Sequence, residues 1–367
     1  MRIVHVDPEI GWRGGESQVL ALMRELRRAG HTSFLAAPRG GELARRAAAD
    51  AFEVADVPCR FGHDPVAGLA LRRLCRGQNT DVVHVHTARA LTFVRAAPRR
   101  VVRVLTRRMD TPPRGAGPYV RWLYDGLDEI VAISEAARRG LVMRGIAGSG
   151  ITLVPSGVDT QVFQARPAAM ARAELGLDDG FWLAIVGGLH ARKGHAVLLD
   201  ALSRLDPARR AGVGLLIAGT GPEEARLRER ARALGLAPMV RWLGEVADVG
   251  AVLSAADLVL QPSLAEGLGV AVLEAMACGR AVVASAVGGL SETIRDGREG
   301  LLVPPGDAGA LAQALVVCID GPERRIEFGA AGRARALEFS TARMAARTLS
   351  VYERALARQA AGPDASR

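Results

Sequence analysis

The sequence predicts an α/β protein of two units, each a parallel sheet with crossover helices. Three observations carry this. At 367 residues the chain is long enough for two separate cores. Apolar residues make up 49%, glycine numbers 42 and aromatics are only 4%, a composition that suits an α/β enzyme. Short apolar runs of strand length also alternate with amphipathic runs of helix length from end to end.

The first series opens with a strand over Arg2–Val6. Residues 17–29 follow with Val19, Leu22, Met23 and Leu26 on one helical stripe. Further strands are expected at 33–37, 81–85, 103–106 and 129–133, and Ser134 and Glu135 cap a helix running to about residue 144. A second series begins near residue 181 and continues through Val213–Ala218, 239–243, 258–260 and 280–284. The boundary is expected within 160–178, after Val158-Asp159, where an Ala/Arg-rich polar stretch begins. The expected division is 1–160, 161–340, a helix over 341–358 returning to the first unit, and a disordered tail over 359–367.

The most informative stretch is Glu266-Gly-Leu-Gly-Val-Ala-Val-Leu-Glu274, followed by Ala275-Met-Ala-Cys-Gly279. Ala256 to Pro262 reads as a short buried strand ending in a turn. Gly267, Leu268, Gly269 and Val270 then lead into a helix that Cys278-Gly279 closes. Such a helix start offers free N–H groups and a positive dipole end to an anion. Eight residues of helix rise about 12 Å, so Glu266 and Glu274 are expected to stand a ribose-to-sugar distance apart across a diphosphate. The alternative is a pair of solvated helix glutamates.

Lysine occurs once, at Lys193, in a chain that otherwise uses arginine. It lies in Gly187-Gly-Leu-His-Ala-Arg-Lys-Gly194, after the apolar run 182–186. A compact ammonium suits a phosphate oxygen where a broad guanidinium does not fit. Charge is uneven: residues 1–150 hold 24 Arg against 15 acidic residues, and 151–367 hold 24 basic against 24 acidic, so the net +9 belongs to the first part. That part is expected to meet something anionic, a phospholipid surface or a lipid-phosphate acceptor. Nucleic acid is the rival, but no helix-turn-helix, zinc-finger or RNP pattern supports it.

No run of 18 apolar residues exists and the first 30 residues lack a signal-peptide core, so a cytoplasmic protein, peripheral at most on the inner membrane face, is expected. Cys59, Cys75, Cys278 and Cys318 have no C-x-x-C spacing and read as reduced packing residues.

The run Pro262-Ser-Leu-Ala-Glu-Gly-Leu-Gly269, Glu274-Ala-Met-Ala-Cys-Gly279, Ala286-Val-Gly-Gly289, Glu292 and Gly300-Leu-Leu-Val-Pro-Pro305 closely resembles the donor-binding signature of family-4 retaining glycosyltransferases. Weaker matches extend from Val4 to about Leu315. The resemblance implies the GT-B fold, two Rossmann-like parallel-sheet domains facing across a cleft. It implies a nucleotide-diphosphate sugar as donor and a glycan or lipid-linked acceptor, in envelope polysaccharide or lipopolysaccharide synthesis. Glu274 would then bond the nucleotide ribose and Glu266 the donor sugar hydroxyls.

Lys193, and from a different position Arg192, would meet the donor diphosphate; the family's usual arginine place holds Gly188 here. Gly14 and Gly15, opening the first helix after Gly11-Trp-Arg, resemble the family's glycine loop over the donor phosphate. Gly219 and Gly221 form a weaker strand-to-helix turn, a nucleotide contact or a plain turn. His84 and His86 are expected to face opposite sides, with His86 at the strand end the better catalytic candidate and a two-histidine metal site disfavoured. Where the family often has a histidine after the next strand, this chain has Thr106-Arg-Arg-Met-Asp110, which makes Arg107 or Arg108 the acceptor or phosphate candidate. No Asp-x-Asp pair is present, so neither metal nor other cofactor is expected. The alternatives are a non-catalytic sugar-nucleotide-binding protein on the same frame and a sugar-nucleotide epimerase.

Overall fold

The computed structural model describes residues 1–57, 64–109 and 118–361. Cys59, Asp110 and the tail from residue 362 lie outside the described residues. The chain divides into two compact units, Met1–Gly157 together with the chain from Thr341, and Val158–Ser340.

In unit 1 the elements run β1 (Arg2–Val6), α1 (Gly14–Arg28), β2 (Thr32–Ala37), α2 (Glu42–Ala49), β3 (Glu53–Asp56), α3 (Pro65–Gly77) and β4 (Val82–Val85). They continue through α4 (Leu91–Val94), β5 (Val102–Arg107), α5 (Pro118–Asp125), β6 (Glu129–Ala132), α6 (Glu135–Val142) and β7 (Ile151–Leu153). The seven strands are all parallel, in the order β3-β2-β1-β4-β5-β6-β7. Order reverses between β1 and β4, the switch point at which such sheets leave a crevice at their carboxyl ends.

Unit 2 runs α7 (Ala168–Glu174), β8 (Phe181–Val186), α8 (His195–Ser203), α9 (Pro207–Arg210), β9 (Val213–Ala218), α10 (Glu224–Ala233), β10 (Val240–Gly244) and α11 (Val249–Ala255). Then come β11 (Leu258–Gln261), α12 (Val270–Ala277), β12 (Ala281–Ser285), α13 (Leu290–Thr293), β13 (Gly300–Val303), α14 (Ala308–Asp320) and α15 (Pro322–Ala336). Its six parallel strands stand in the order β10-β9-β8-β11-β12-β13.

Helices on both faces explain why the central strands are continuous apolar runs and not alternating ones: every residue of β4 and β9 is buried. The stripe of Val19, Leu22, Met23 and Leu26 faces the sheet from α1 and is buried throughout. The last helix, α16 (Thr341–Ala361), lays Met344, Ala345, Val351 and Tyr352 on Ile3, Leu22, Leu26, Val102 and Val104, completing the core of unit 1.

The tail expectation needs correction, since residues 359–361 are the last turn of that helix. Three strands carry no apolar run of ordinary length in the sequence: β3 is half charged, β7 has three residues, and β13 opens on glycine.

Candidate functional site

Each unit contributes a cluster at the carboxyl ends of its strands. In unit 2, β11 ends at Pro262 and the chain turns through Ser263 to Gly269 before α12 begins. Gly269 has φ +89 and is the N-cap, and a Cβ there would come within 2.4 Å of Leu290 Cδ2. A left-handed residue cannot lie inside a right-handed helix, so α12 does not extend back to Glu266. The expected helical span between the two carboxylates is thereby corrected: Glu266 belongs to the turn and Glu274 to the second turn of α12. Gly267 is locked there too, because its carbonyl would lie 2.4 Å from a Cβ on Gly289, and Leu268 is 2% exposed.

Glu266 is buried and heavily bonded. Its Oε2 accepts from Lys193 Nζ at 2.6 Å and from Ser263 Oγ at 3.1 Å, and Gln261 Nε2 approaches it at 3.4 Å. Lys193 reaches it because two loops interlock: Leu264 N–H donates to the Arg192 carbonyl at 2.7 Å, and Gly194 (φ +71) passes so close that a Cβ would sit 1.8 Å from the Pro262 oxygen. Only glycine allows that approach. Arg192 itself points its side chain to solvent, so the structure brings Lys193 and not Arg192 to the carboxylate.

Glu274 contrasts with Glu266. It makes no side-chain hydrogen bond or ion pair with a described residue, and burial pushes its carboxyl up to about 8 against a weaker opposing pull from Lys193. His195, the first residue of α8, was passed over by the sequence reading. It is 3% exposed with neither ring nitrogen partnered, and burial then the Lys193 charge hold it neutral, down to about 4. A polar residue at the apolar start of a helix beside Lys193 was the available signal.

Gly219 and Gly221 have packing reasons of their own. A Cβ on them would stand 2.1 Å from the Gly187 oxygen and 2.5 Å from the Leu189 oxygen, so this turn is glycine because β8 and β9 exits touch. Gly14 and Gly15 differ. A Cβ on Gly14 would meet nothing within 4 Å, and one on Gly15 only Arg108 Cδ at 3.8 Å. Packing does not require glycine at the start of α1, whose N–H groups stand open at a helix end.

In unit 1 the switch point gathers Asp7 after β1, His86 after β4, Arg108 after β5, and Glu16 in α1. His84 and His86 do not face opposite sides as expected. Residues two apart on a strand share a face, and the two rings lie 4.1 Å apart with His5 on the neighbouring strand stacked on His86 at 5.3 Å. Arg108 Nη2 donates to His86 Nδ1 at 3.3 Å. Arginine can only donate, so His86 carries its proton on Nε2 and gives it to His5 Nδ1 at 3.0 Å. His84 is held separately, by Tyr352 Oη and Thr106 Oγ1, each at 2.6 Å.

One ring nitrogen from each of the three histidines lies within 4.8 Å of the other two. Of the six, only His5 Nε2 has no partner, so the trio as arranged is a hydrogen-bonded set and not a ligand shell with free lone pairs. Burial holds all three neutral.

Arg108 is the uncompensated group here. Its Nε and Nη1 are buried without partners, and among the described residues no carboxylate forms an ion pair with it. Asp7 and Glu16 are near enough to feel its charge, yet burial wins at both, pushing Asp7 up to about 7 and Glu16 upward. Glu16 spends one oxygen on the Arg13 N–H at 2.7 Å, closing the start of α1. Arg107, one residue earlier, belongs to the other side of β5, where its charge reaches the Tyr124 phenol. The structure therefore separates the two arginine candidates and brings only Arg108 to His86 and Gly15.

Residues 12–162 match the model of Glycosyltransferase Family 4, and residues 180–320 match Glycosyl transferases group 1. A D-inositol 3-phosphate glycosyltransferase of Arthrobacter is 33% identical over 300 residues, 79% of this chain and 68% of that one. A phosphatidyl-myo-inositol mannosyltransferase of Mycobacterium leprae is 35% identical over 227 residues, 61% and 58% of the two chains. The chain spans 57%, 65% and 58% of the length of three further curated relatives.

Among solved structures, Anabaena HepE in complex with UDP and glucose superposes with TM-score 0.85 at 22% identity, over 96% of this chain and 99% of that one. Sucrose-phosphate synthase from Thermosynechococcus elongatus gives 0.78 at 22% identity, over 97% and 99%. These likenesses show the GT-B fold. With both halves matched to family models and a relative aligned over most of each chain, the chain belongs to glycosyltransferase family 4.

Proposed function

We propose that this chain is a retaining hexosyltransferase that moves a sugar from a nucleotide-diphosphate sugar to a hydroxyl of a glycan or lipid-linked acceptor, without a metal or other cofactor. The observation that carries the reading is the preformed Lys193–Glu266 pair, 2.6 Å apart beside the start of α12, with Glu274 unpaired in the next turns. Glu274 takes the ribose hydroxyls, Glu266 the sugar hydroxyls, and Lys193 with the α12 amides the diphosphate. Donor binding exchanges the Lys193–Glu266 contact for contacts to the donor, so neither charge is stranded when the nucleotide leaves. The Anabaena HepE structures, in complex with UDP and UDP-glucose, support a nucleotide sugar as that donor.

In the transfer, the acceptor oxygen bonds to the anomeric carbon as the bond to the diphosphate oxygen breaks, and a departing phosphate oxygen takes the acceptor proton. Attack from the face of departure retains configuration and needs no protein nucleophile. Gly14 and Gly15 let backbone approach the phosphate. Arg108, with two unpartnered donors, takes an anionic group of the acceptor, and His86 acts through it as a positioning residue. The relatives' names, inositol phosphate glycosyltransferase and phosphatidylinositol mannosyltransferase, support an acceptor hydroxyl near a phosphate. The basic first part supports contact with an anionic membrane and a role in envelope glycan or lipopolysaccharide synthesis. Among the described residues no helix is long and apolar enough to cross a membrane.

The test is hydrolysis and transfer across a panel of nucleotide sugars, with the product anomer read by NMR. One donor turned over with its configuration kept supports the reading. An inverted product overturns retention. Donor binding with no turnover on any acceptor favours the non-catalytic alternative, and a sugar epimer released still attached to its nucleotide favours the epimerase.

A further inference from the structure

At the opposite end of the unit 1 sheet from Arg108, a cavity of ≈ 720 Å³ is lined by Arg72, Arg76, Arg95, Arg99, Arg100 and Arg103, with Ala97 and Pro98. Two of these arginines come from the last turns of α3, one from the end of α4, two from the turn before β5, and one from β5 itself. Among the described residues no acidic side chain lines the cavity. None of the six forms an ion pair with a described residue, although arginines elsewhere are readily paired, as in Arg24–Asp50, Arg138–Glu135 and Arg230–Asp200. The α3 dipole accounts for a cation or two at its carboxyl end, not for six converging from four elements.

One carboxylate at this edge of the sheet, Asp128, accepts from the Arg103 backbone N–H at 2.7 Å. Arg103 Nε is buried with no partner, and burial first, then the Arg95 and Arg99 charges, weaken its hold on its proton against the opposing pull of Asp128. Six like charges gathered around one carboxylate keep a large positive excess, which is a site for an anion.

An exposed aromatic pair adjoins this cavity. On α5, Tyr119 and Trp122 are each 48% exposed and stacked at 5.9 Å. Arg95 joins this pair to the cavity: its guanidinium lies 4.0 Å from the Trp122 ring centre and donates to the Trp122 carbonyl at 2.8 Å. Aromatic rings flanking arginines are the chemistry of the bilayer interface, where rings sit at headgroup depth and guanidinium groups meet phosphates. A soluble polyanion would use the arginines and leave the exposed ring pair without a role.

We propose that this face of unit 1 docks on a bilayer, with the arginine cavity receiving the phosphate of anionic phospholipid headgroups and Tyr119 and Trp122 entering the interfacial layer. The proposal deepens the membrane contact suggested above and rests on it.

The experiment is flotation of the full chain with phosphatidylcholine vesicles, with and without phosphatidylglycerol. It compares wild type, an R72S/R76S/R99S/R100S variant, a Y119S/W122S variant, and a control losing as much charge in unit 2, R209S/R210S/R226S/R232S. Far-UV circular dichroism and melting temperature check that each variant is folded. Wild type and control are expected to float only with the anionic lipid and to be released by salt. The cavity variant should lose tenfold or more of its partitioning, and the aromatic variant a smaller part. If the cavity variant floats as well as wild type while wild type floats, this surface is wrong and the membrane contact stands. If wild type does not float, the membrane contact itself fails. Binding of inorganic polyphosphate or single-stranded RNA that the cavity variant loses, without flotation of wild type, would make the site one for a soluble polyanion and overturn the proposal.

Discussion

The two strand-end clusters are built on opposite electrostatic plans. In unit 2, Lys193 and Glu266 neutralise one another at 2.6 Å, with Ser263 and Gln261 bracing the carboxylate, and glycines wedge the loops together. In unit 1, Arg108 keeps two buried donors unmet, Asp7 and Glu16 are pushed toward protonation, and the glycines stand in open space. A compensated cluster is already organised before its ligand arrives. An uncompensated one is completed by the ligand, and much of its specificity lies in what that ligand brings.

The largest effect is expected on breaking the compensated pair. Lys193→Ala leaves Glu266 buried without its cation, which lowers stability by about 3 kcal/mol and donor turnover about 10²- to 10³-fold. Urea unfolding and donor hydrolysis check both. A K193M/E266Q double variant should recover much of the stability and none of the turnover. Recovery of turnover would show that the pair serves the fold alone.

Next in size is Gly269→Ala. The left-handed backbone and the Leu290 contact make it cost about 1–3 kcal/mol. Gly15→Ala, by contrast, should leave stability unchanged or raise it by up to about 1 kcal/mol, because only Arg108 Cδ lies near the new methyl. If its melting temperature holds and donor turnover falls, a ligand approaches that loop. Unchanged turnover removes the loop from the site.

Glu274 sets a pH dependence with a definite sign. Its folded value, raised to about 8, means that the fold favours the protonated acid. That preference is fully present below the ordinary carboxylate value of about 4.5 and is lost as pH rises through about 8. Asp7, raised to about 7, acts in the same direction. Glu274→Gln should therefore gain melting temperature over wild type as pH rises from about 5 to about 9, by an amount equivalent to about 1–3 kcal/mol. A difference that does not change with pH would mean that Glu274 is ionised and compensated in the free protein. Smallest is Arg108→Ala, expected to lower transfer to an anionic acceptor about tenfold to a hundredfold while donor hydrolysis stays constant.

The unit 2 cluster was legible because its residues are near-contiguous. One stretch from Pro262 to Glu274 carries both carboxylates and their glycines, and the lone lysine pointed to its own loop. What the sequence concealed was where α12 begins, since a left-handed Gly269 is invisible to hydrophobic period and moved Glu266 into the turn. The unit 1 cluster was only partly legible. Asp7, His86, Arg108 and Glu16 come from four elements that meet because β1, β4 and β5 are neighbours in the sheet, and sheet order is not written in local pattern. The choice between Arg107 and Arg108 stayed open for the same reason, as a strand sends successive side chains to opposite faces and only the sheet says which face is which. His84 and His86 share a face by the same period of two, against the expectation.

The most direct measurement is calorimetric binding of the best nucleotide sugar to wild type, Lys193→Ala, Glu274→Ala and Arg108→Ala. The two-plan account predicts that the first two variants lose donor affinity tenfold or more while Arg108→Ala keeps it. Loss in Arg108→Ala equal to that in Lys193→Ala, or donor binding indifferent to both Lys193 and Glu274, would contradict it.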